Sequence, residues 1–342
     1  MERKFMLTIL NIPIEPLEER YSVQWDKWFT EGFTNSEIPF TTIYGEKTSG
    51  KINVGSFLDV LETNQYKVSQ LSKIIGYLKT YDNKEKLVLF FHDLWFPGLE
   101  TIAYIRDGLG LDNLKICGCL HAGSYDEWDY LNKVGMTPWA EHMENGWFSQ
   151  IADQIYVATE FHKTLLHTKR QIPNEKITVT GFPMYPDFLP KKMPEKENII
   201  VFPHRLDAEK KPEMFETMCQ RISPDYWEWK WFKSKDVTKN KKEYYELLCK
   251  SKIAVSFALQ ETWGIAMQEA VLCGCVPICP NRLSYTELYE SSFLYDSYEE
   301  AASLIRRYIN YQPTNALWEQ QKKILKRGSE AIPKIINSIT WL

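Results

Sequence analysis

Two glutamates in the second half of the chain have the type and spacing to hold a nucleotide sugar. Glu261 and Glu269 lie eight positions apart with Gly264 between them, where a strand-like apolar run gives way to a helical one. A carboxylate accepts hydrogen bonds from both vicinal hydroxyls of a ribose. The helix start at Gly264 and Ile265 is predicted to offer free backbone N–H groups to an anion. Two solvated glutamates on an amphipathic helix are the alternative.

Two cations at the start of the same half suit a diphosphate. Arg205 and Lys210 are five positions apart on a predicted strand-to-helix loop. A forked guanidinium and a flexible ammonium clamp a diphosphate well, and both would stabilise the charge that develops on a departing nucleoside diphosphate. A solvated loop is the alternative for this pair taken alone.

These residues form a recognisable pattern. Arg205 with Lys210, Glu261 with Glu269, and the turn 274–277 (Gly-Cys-Val-Pro) resemble, position by position, the retaining GT-B glycosyltransferases of the sucrose-synthase-like and mannosyltransferase-like family. The run from Glu269 to Glu287 is more similar still to the subgroup that glycosylates queuosine in transfer RNA. The resemblance covers mainly the second half of the chain.

The resemblance implies a donor, a mechanism and a set of site residues. The donor is a nucleoside-diphosphate sugar, with a UDP-sugar favoured, and the anomeric configuration is retained. No metal or further cofactor is required, because no Asp-x-Asp metal motif stands out. The residues assigned to donor binding are Arg205, Lys210, Glu261, Gly264, Ile265 and Glu269. The residues assigned to catalysis are His121, Arg205, Lys210 and Glu261.

The first half matches the family less closely. His121 follows a predicted strand, and by the resemblance it contacts the donor sugar or the forming oxocarbenium ion. A lone histidine is more often a structural residue, and that alternative stays open for His92 and His121. The acceptor-side candidates all lie in loops after predicted strands: His92, Asp93, Asp126, Glu19 and Arg20.

The elements that would position these residues alternate between strand and helix along the chain. This alternation predicts an α/β protein with two Rossmann-like, doubly wound domains, which in the GT-B arrangement face a central cleft. The predicted domains are 1–183 on the acceptor side and 199–315 on the donor side, joined by a proline-rich linker at 184–198. A C-terminal helix is predicted at 316–342, with packing back onto the first domain as one arrangement.

Composition limits the functional classes. The chain has 342 residues, a net charge of −4 and seven cysteines. The length fits two domains, and the odd number of cysteines favours reduced thiols and a cytoplasmic setting. Neither a signal peptide nor a membrane-spanning run is apparent. The Cys-x-Cys pairs lack the spacing of zinc sites. The oligomeric state is not predicted.

The segment 226–242 bears on the acceptor. It groups tyrosine and tryptophan with lysines, a combination that suits base stacking and phosphate contact; a buried strand followed by a solvated lysine loop is the alternative. Lys239, Lys241 and Lys242 are expected outside the donor pocket. The acceptor is predicted to be a nucleic acid, with 5-hydroxymethylcytosine in DNA favoured over queuosine in transfer RNA.

Other acceptors and another class of protein stay open. A glycan, a lipid or a small molecule would suit the same donor half. A nucleotide-sugar epimerase or a non-catalytic binding module would share the fold, although the four donor residues argue against lost donor binding.

Overall fold

The structure, a computed structural model, describes residues 7–18, 20–49 and 59–342, and these form two compact units. Unit 1 contains the described residues up to Ala158, with His162–Pro183 and Glu330–Leu342. Unit 2 contains Thr159–Phe161 and Met184–Ser329. Each unit has a parallel sheet with connecting helices, so the predicted α/β class is confirmed.

Unit 1 is built on a sheet with six described strands, all parallel, in the order β2-β1-β3-β4-β5-β6. The strands are β1 (Leu7–Ile12), β2 (Phe40–Thr42), β3 (Lys86–Phe91), β4 (Leu114–Cys119), β5 (Gln154–Val157) and β6 (Ile177–Val179). Central strands of such sheets are covered on both faces, so they read as continuous apolar runs. In β3, residues 87–91 are each at most 1% exposed.

The helices of unit 1 follow these strands. They are α1 (Ser22–Asn35), α2 (Val60–Leu78), α3 (Leu99–Leu109), α4 (Tyr130–Lys133), α5 (Thr137–Asn145) and α6 (Glu160–Arg170). A π-helical turn at Gly146–Ile151 extends α5. The sequence predicts separate helices at Gly55–Glu62 and Gln65–Thr80. The break is wrong, because Asp59 caps one continuous α2, and residues 55–58 lie outside the described residues.

Unit 2 has a sheet with five described strands, also all parallel, in the order β11-β10-β9-β7-β8. The strands are β7 (Ile199–Phe202), β8 (Lys230–Lys233), β9 (Ile253–Val255), β10 (Val276–Pro280) and β11 (Leu294–Tyr295). The helices are α7 (Pro212–Ile222), α8 (Ser234–Val237), α9 (Lys241–Lys250), α10 (Ile265–Leu272), α11 (Tyr285–Leu288) and α12 (Tyr298–Asn310). The stretch 184–198 has no helix or strand and belongs to this unit.

The last helix, α13 (Thr314–Trp341), passes from unit 2 into unit 1 after Ser329. Its final turns pack against α1 in unit 1. A Cβ added to Gly32 would lie 2.4 Å from Ile332 Cγ2, so only glycine fits at this contact. Within the described ranges, no helix is both long and apolar enough to cross a membrane.

Candidate functional site

The loops after β7 and β9 bring Lys210 and Glu261 together in unit 2. Lys210 Nζ donates to the carbonyl of Gln260 at 2.6 Å and lies 3.3 Å from Glu261 Oε2. Both follow parallel strands at the carboxyl edge of the sheet, which is where open α/β sheets bind ligands. Burial alone would raise the pKa of Glu261, but the charge of Lys210 and the N–H of Gly264 outweigh it and keep the pKa below its ordinary value. The pair therefore joins a buried lysine to a carboxylate whose pKa is lowered.

The start of α10 is shaped by Glu261 itself. Gly264 is the capping residue directly before the helix, and it has a φ of 68°, a left-handed conformation that suits glycine. Its N–H donates to Glu261 Oε1 at 2.8 Å, and the N–H of Thr262 donates to the same oxygen at 3.2 Å. The N–H of Gly264 itself is therefore taken by the carboxylate of Glu261, and the prediction that this helix start binds an anion stays a prediction. Ile265 is the first residue of the helix.

Arg205 lies in the loop after β7 between two acidic partners. Its Nη1 is 2.9 Å from Asp207 Oδ2, and its Nη2 is 3.4 Å from Glu209 Oε1. The Arg205 side chain is 39% exposed, whereas that of Glu209 is 5% exposed. The guanidinium is thus oriented by the buried carboxylate of Glu209 and the partly buried one of Asp207, and it still reaches solvent.

His204, which the sequence analysis did not assign, lies behind this cluster. It is 3% exposed, and its Nε2 has no hydrogen-bond partner among the described residues. Burial, with Lys210 nearby, lowers the pKa of His204 to about 3. The ring is therefore neutral near pH 7. Its position directly before Arg205 in a recognisable motif was the only sequence signal for it.

Glu269 is 4% exposed in the second turn of α10 and has partners on α9. Tyr245 donates to its Oε1 at 2.7 Å, and Tyr244 donates to its Oε2 at 3.1 Å. Lys241 Nζ lies 3.7 Å from Oε1. Lys241 was expected outside the donor pocket, but it lies next to Glu269, a residue assigned to donor binding. The neighbouring Lys239 and Lys242 are exposed.

His121 in unit 1 follows β4 and is held by an aromatic cage. Its Nε2 donates to the carbonyl of His92 at 2.8 Å, and Tyr21 OH lies 3.4 Å from its Nδ1. The rings of Trp25 and Phe182 pack within 5 Å of it. Burial lowers the pKa of His121. The imidazole is therefore fixed, half-buried and neutral.

His92 is fully buried beneath His121. Its Nε2 is 2.7 Å from Asn11 Oδ1, and its ring packs 4.5 Å from that of Phe29. Burial lowers its pKa to about 3. His92 thus supports His121 from inside the core, the structural role that the sequence left open, and direct acceptor contact by its ring is not supported.

The other acceptor-side candidates differ in position. Asp93 lies two residues after the end of β3, and its Oδ1 accepts the N–H of Trp95 at 3.1 Å. Asp126 is 8% exposed and accepts the N–H of Trp128, so it stabilises the turn after β4. Arg20 lies 6.0 Å from the Tyr21 ring centroid. Glu19 lies outside the described residues.

A buried ion pair that sequence reasoning missed supports the loop after β4. Glu144 on α5 is 0% exposed, and its Oε2 accepts from Arg170 Nε at 3.0 Å. Its two oxygens also accept from the N–H and the hydroxyl of Ser124, and Trp95 Nε1 donates to it at 3.1 Å. The partners lie 20 to 49 positions away in the sequence, so no local pattern indicates them.

A cavity of about 520 Å³ lies in unit 1 at the carboxyl ends of β1 and β2. Its lining includes Glu15, Leu17, Tyr44, Thr48 and Tyr66. Glu15 is 6% exposed and accepts a hydrogen bond from Thr48 Oγ1. The cavity thus combines aromatic walls with a carboxylate, close in sequence to the region assigned to the acceptor.

The segment 226–242 is only partly available to a ligand. Tyr226–Trp229 form a turn, so the strand predicted at Trp227–Phe232 begins at Lys230 instead. Trp229 is buried, whereas Trp227 is 85% exposed. Stacking on a base is thus open to Trp227 and not to Trp229.

Within the described residues, no three His, Cys, Asp or Glu side chains lie close enough together to hold a metal ion. That no metal is required stays a prediction to be tested. The cysteines are unpaired thiols, and all except Cys219 are buried.

Comparison with solved structures identifies the fold. The chain matches sucrose-phosphate synthase from Thermosynechococcus elongatus with a TM-score of 0.62 at 10% identity, covering 98% of this chain and 96% of that one. It matches HepE from Anabaena, solved with UDP and glucose, with a TM-score of 0.61 at 10% identity, covering 98% and 99%. The chain therefore has the GT-B glycosyltransferase fold.

Sequence comparison gives a shorter match. No protein-family profile matches the chain. A segment of 82 residues is 34% identical to tRNA-queuosine alpha-mannosyltransferase from Drosophila melanogaster. This match covers 24% of the chain and 21% of the relative, so the chain spans about a fifth of the length of that protein.

Proposed function

We propose that this protein is a retaining glycosyltransferase that moves a sugar from a nucleoside-diphosphate sugar to a hydroxyl of a modified nucleobase. The observation that carries the proposal is the buried Lys210–Glu261 pair, with Arg205 on the neighbouring loop, at the carboxyl edge of the second sheet. That edge supplies fixed positive charge where a diphosphate would leave.

The charge of each donor residue determines which part of the donor it binds. Arg205 and Lys210 bind the diphosphate, because a guanidinium held by carboxylates and an ammonium held by a carbonyl are already oriented. Glu269 binds ribose hydroxyls. A UDP-sugar is favoured, and the complex of the HepE protein with UDP and glucose supports this choice.

The reaction needs no protein base at the anomeric carbon. The bond between that carbon and the phosphate oxygen breaks, and its electron pair leaves with the diphosphate. The acceptor oxygen bonds to the same face of the carbon, and its proton passes to the leaving phosphate oxygen. The chain contributes positioning and positive charge at the phosphates. His121, assigned to the sugar by resemblance, would stay neutral in this step.

The acceptor is proposed from two observations. The name of the Drosophila relative points to a modified base in transfer RNA, and the cavity beside Glu15 has the aromatic and carboxylate lining that suits a base. The comparisons give no support to hydroxymethylcytosine in DNA, which becomes one arm of the test.

The test is transfer of labelled sugar from UDP-glucose and from other nucleotide sugars. The acceptors are transfer RNA containing queuosine, duplex containing hydroxymethylcytosine, a free nucleoside and a simple saccharide. Labelled nucleic acid supports the whole proposal. Transfer to the saccharide alone refutes the acceptor and leaves the glycosyltransferase. Binding without turnover of any donor, or epimerised donor without transfer, refutes the glycosyltransferase.

A further inference from the structure

The Glu269 carboxylate has hydrogen-bond acceptor sites that its protein partners do not occupy. A carboxylate has about four lone-pair sites, two on each oxygen. Tyr245 occupies a site on Oε1 and Tyr244 one on Oε2, at 2.7 and 3.1 Å. The Lys241 ammonium, at 3.7 Å, is beyond hydrogen-bond distance. Among the described residues, this leaves one acceptor site on each oxygen.

We infer that Tyr244 and Tyr245 are positioning residues that orient Glu269 to accept hydrogen bonds from the two hydroxyls of a ribose. This inference rests on the proposed function. A vicinal diol offers two donors side by side, one for each oxygen. A deoxyribose offers only one of them at the same place. The site therefore selects ribonucleotides over deoxyribonucleotides, a preference that depends on the two phenols as well as on Glu269.

The surroundings of the phenols fix them as donors. Burial, followed by the charge of Glu269, raises the pKa of Tyr244 far above its usual range, so its hydroxyl keeps its proton. Phe188 stacks on the Tyr245 ring at 4.4 Å with an interplanar angle of 17° and holds that ring in place. Lys241 Nζ lies 3.7 Å from Oε1 and places a lysine side chain beside this carboxylate.

The helix that carries the phenols is itself anchored. Asn240 caps α9 by accepting the N–H of Glu243 at 2.9 Å, and Glu243 accepts the N–H of Lys239 at 2.8 Å. This reciprocal cap fixes the first turn of α9, and Tyr244 comes directly after Glu243. The two tyrosines are therefore presented to α10 by a defined helix start.

The experiment measures binding of UDP, 2′-deoxy-UDP and 3′-deoxy-UDP to the full chain by calorimetry, without acceptor. Wild type should bind UDP about 10-fold or more tightly than a deoxy analogue, because a hydrogen bond to a charged group is lost. In Tyr245→Phe and Tyr244→Phe the ratio should fall toward one for at least one analogue. Tyr308→Phe, which removes a buried phenol that donates to Ser292 instead, should keep the wild-type ratio.

The outcomes separate the inference from the proposed function. Equal binding of UDP and both deoxy analogues to wild type overturns the inference and leaves the donor assignment. An unchanged ratio in both tyrosine variants, with only a lower unfolding temperature, assigns the phenols to stability alone and also overturns it. If neither variant folds, Phe188→Leu, which removes the ring stacked on Tyr245, supplies the same ratio test. No binding of UDP, GDP or ADP overturns the donor assignment and the inference together.

Discussion

Glu261 accepts the N–H of Gly264 with one carboxylate oxygen and faces Lys210 with the other. One side chain thus joins the start of α10 to a cation of the β7 loop. In the proposed reaction the diphosphate of the donor competes with this carboxylate for Lys210. The fixed orientation of Lys210 favours binding of the diphosphate. Glu261 is therefore coupled to catalysis through Lys210 even if it touches no substrate.

Glu261→Gln should lower turnover at least 100-fold while the fold survives, because the amide keeps the shape and loses the charge that orients Lys210. The measurement is release of nucleoside diphosphate from the donor, with circular dichroism as the check on folding. Glu300→Gln is the matched control, since Glu300 also accepts a backbone N–H, that of Asp296, on an exposed helix start. Wild-type turnover in folded Glu261→Gln would refute this role.

Arg205→Ala should also lower turnover at least 100-fold, because the variant loses the forked cation proposed to bind the diphosphate. Arg221→Ala is the control. Arg221 has a similar side-chain exposure of 36% and also pairs with a carboxylate, that of Glu299. Equal activity of the two variants would remove Arg205 from the donor site.

Stability should begin to fall below about pH 6.5, and His204, like the buried His92, contributes to that fall. Burial lowers the pKa of His204 to about 3, against about 6.5 in the unfolded chain. The unfolded state therefore binds a proton first, so stability is complete above pH 6.5 and is lost progressively as pH falls toward 3. The loss is about 1.4 kcal/mol per pH unit for such a group.

His204→Phe keeps a ring in the pocket and removes the titration. Its free energy of unfolding, measured in urea between pH 7 and pH 5, should fall with an average slope about 1 kcal/mol per pH unit shallower than in wild type. An identical slope would show that His204 is not buried and neutral.

EDTA should leave turnover largely intact, since the resemblance implies a metal-independent enzyme and the charge at the phosphates is supplied by Arg205 and Lys210. Initial rates with and without the chelator test this. Loss of activity that Mn²⁺ or Mg²⁺ restores would overturn the prediction.

The sequence predicted the α/β class because strands buried on both faces leave continuous apolar runs, as in β3. It placed Glu261 and Glu269 correctly in a loop and in a helix, because a glycine after an apolar run marks the turn between them. The contacts of Lys241 and of the Gly264 N–H could not be predicted from the sequence. The partner of Lys241 is 28 positions away on another helix, and the N–H of Gly264 is taken by a side chain whose direction no local pattern indicates.

The last prediction concerns the nucleic-acid acceptor. The whole chain carries a net charge of −4, so a polymer of phosphates must be held by a local group of cations. Lys239 and Lys242 are exposed, as is Trp227 earlier in the same segment, whereas Lys241 contacts Glu269. The variant that tests nucleic-acid binding therefore changes Lys239 and Lys242 and keeps Lys241.

Lys239→Glu combined with Lys242→Glu should weaken binding of the preferred nucleic acid and leave nucleotide-sugar hydrolysis nearly unchanged. Binding of the wild type should fall steeply with salt, because each neutralised phosphate contributes about −0.7 to −0.9 to the slope of log K against log salt. The double variant should lose up to about two such contributions. Lys84→Glu combined with Lys322→Glu makes the same change in net charge at exposed lysines elsewhere and is the control. Equal weakening in both double variants would show a response to net charge alone, and a salt-independent affinity would exclude phosphate contacts as the means by which the acceptor is held.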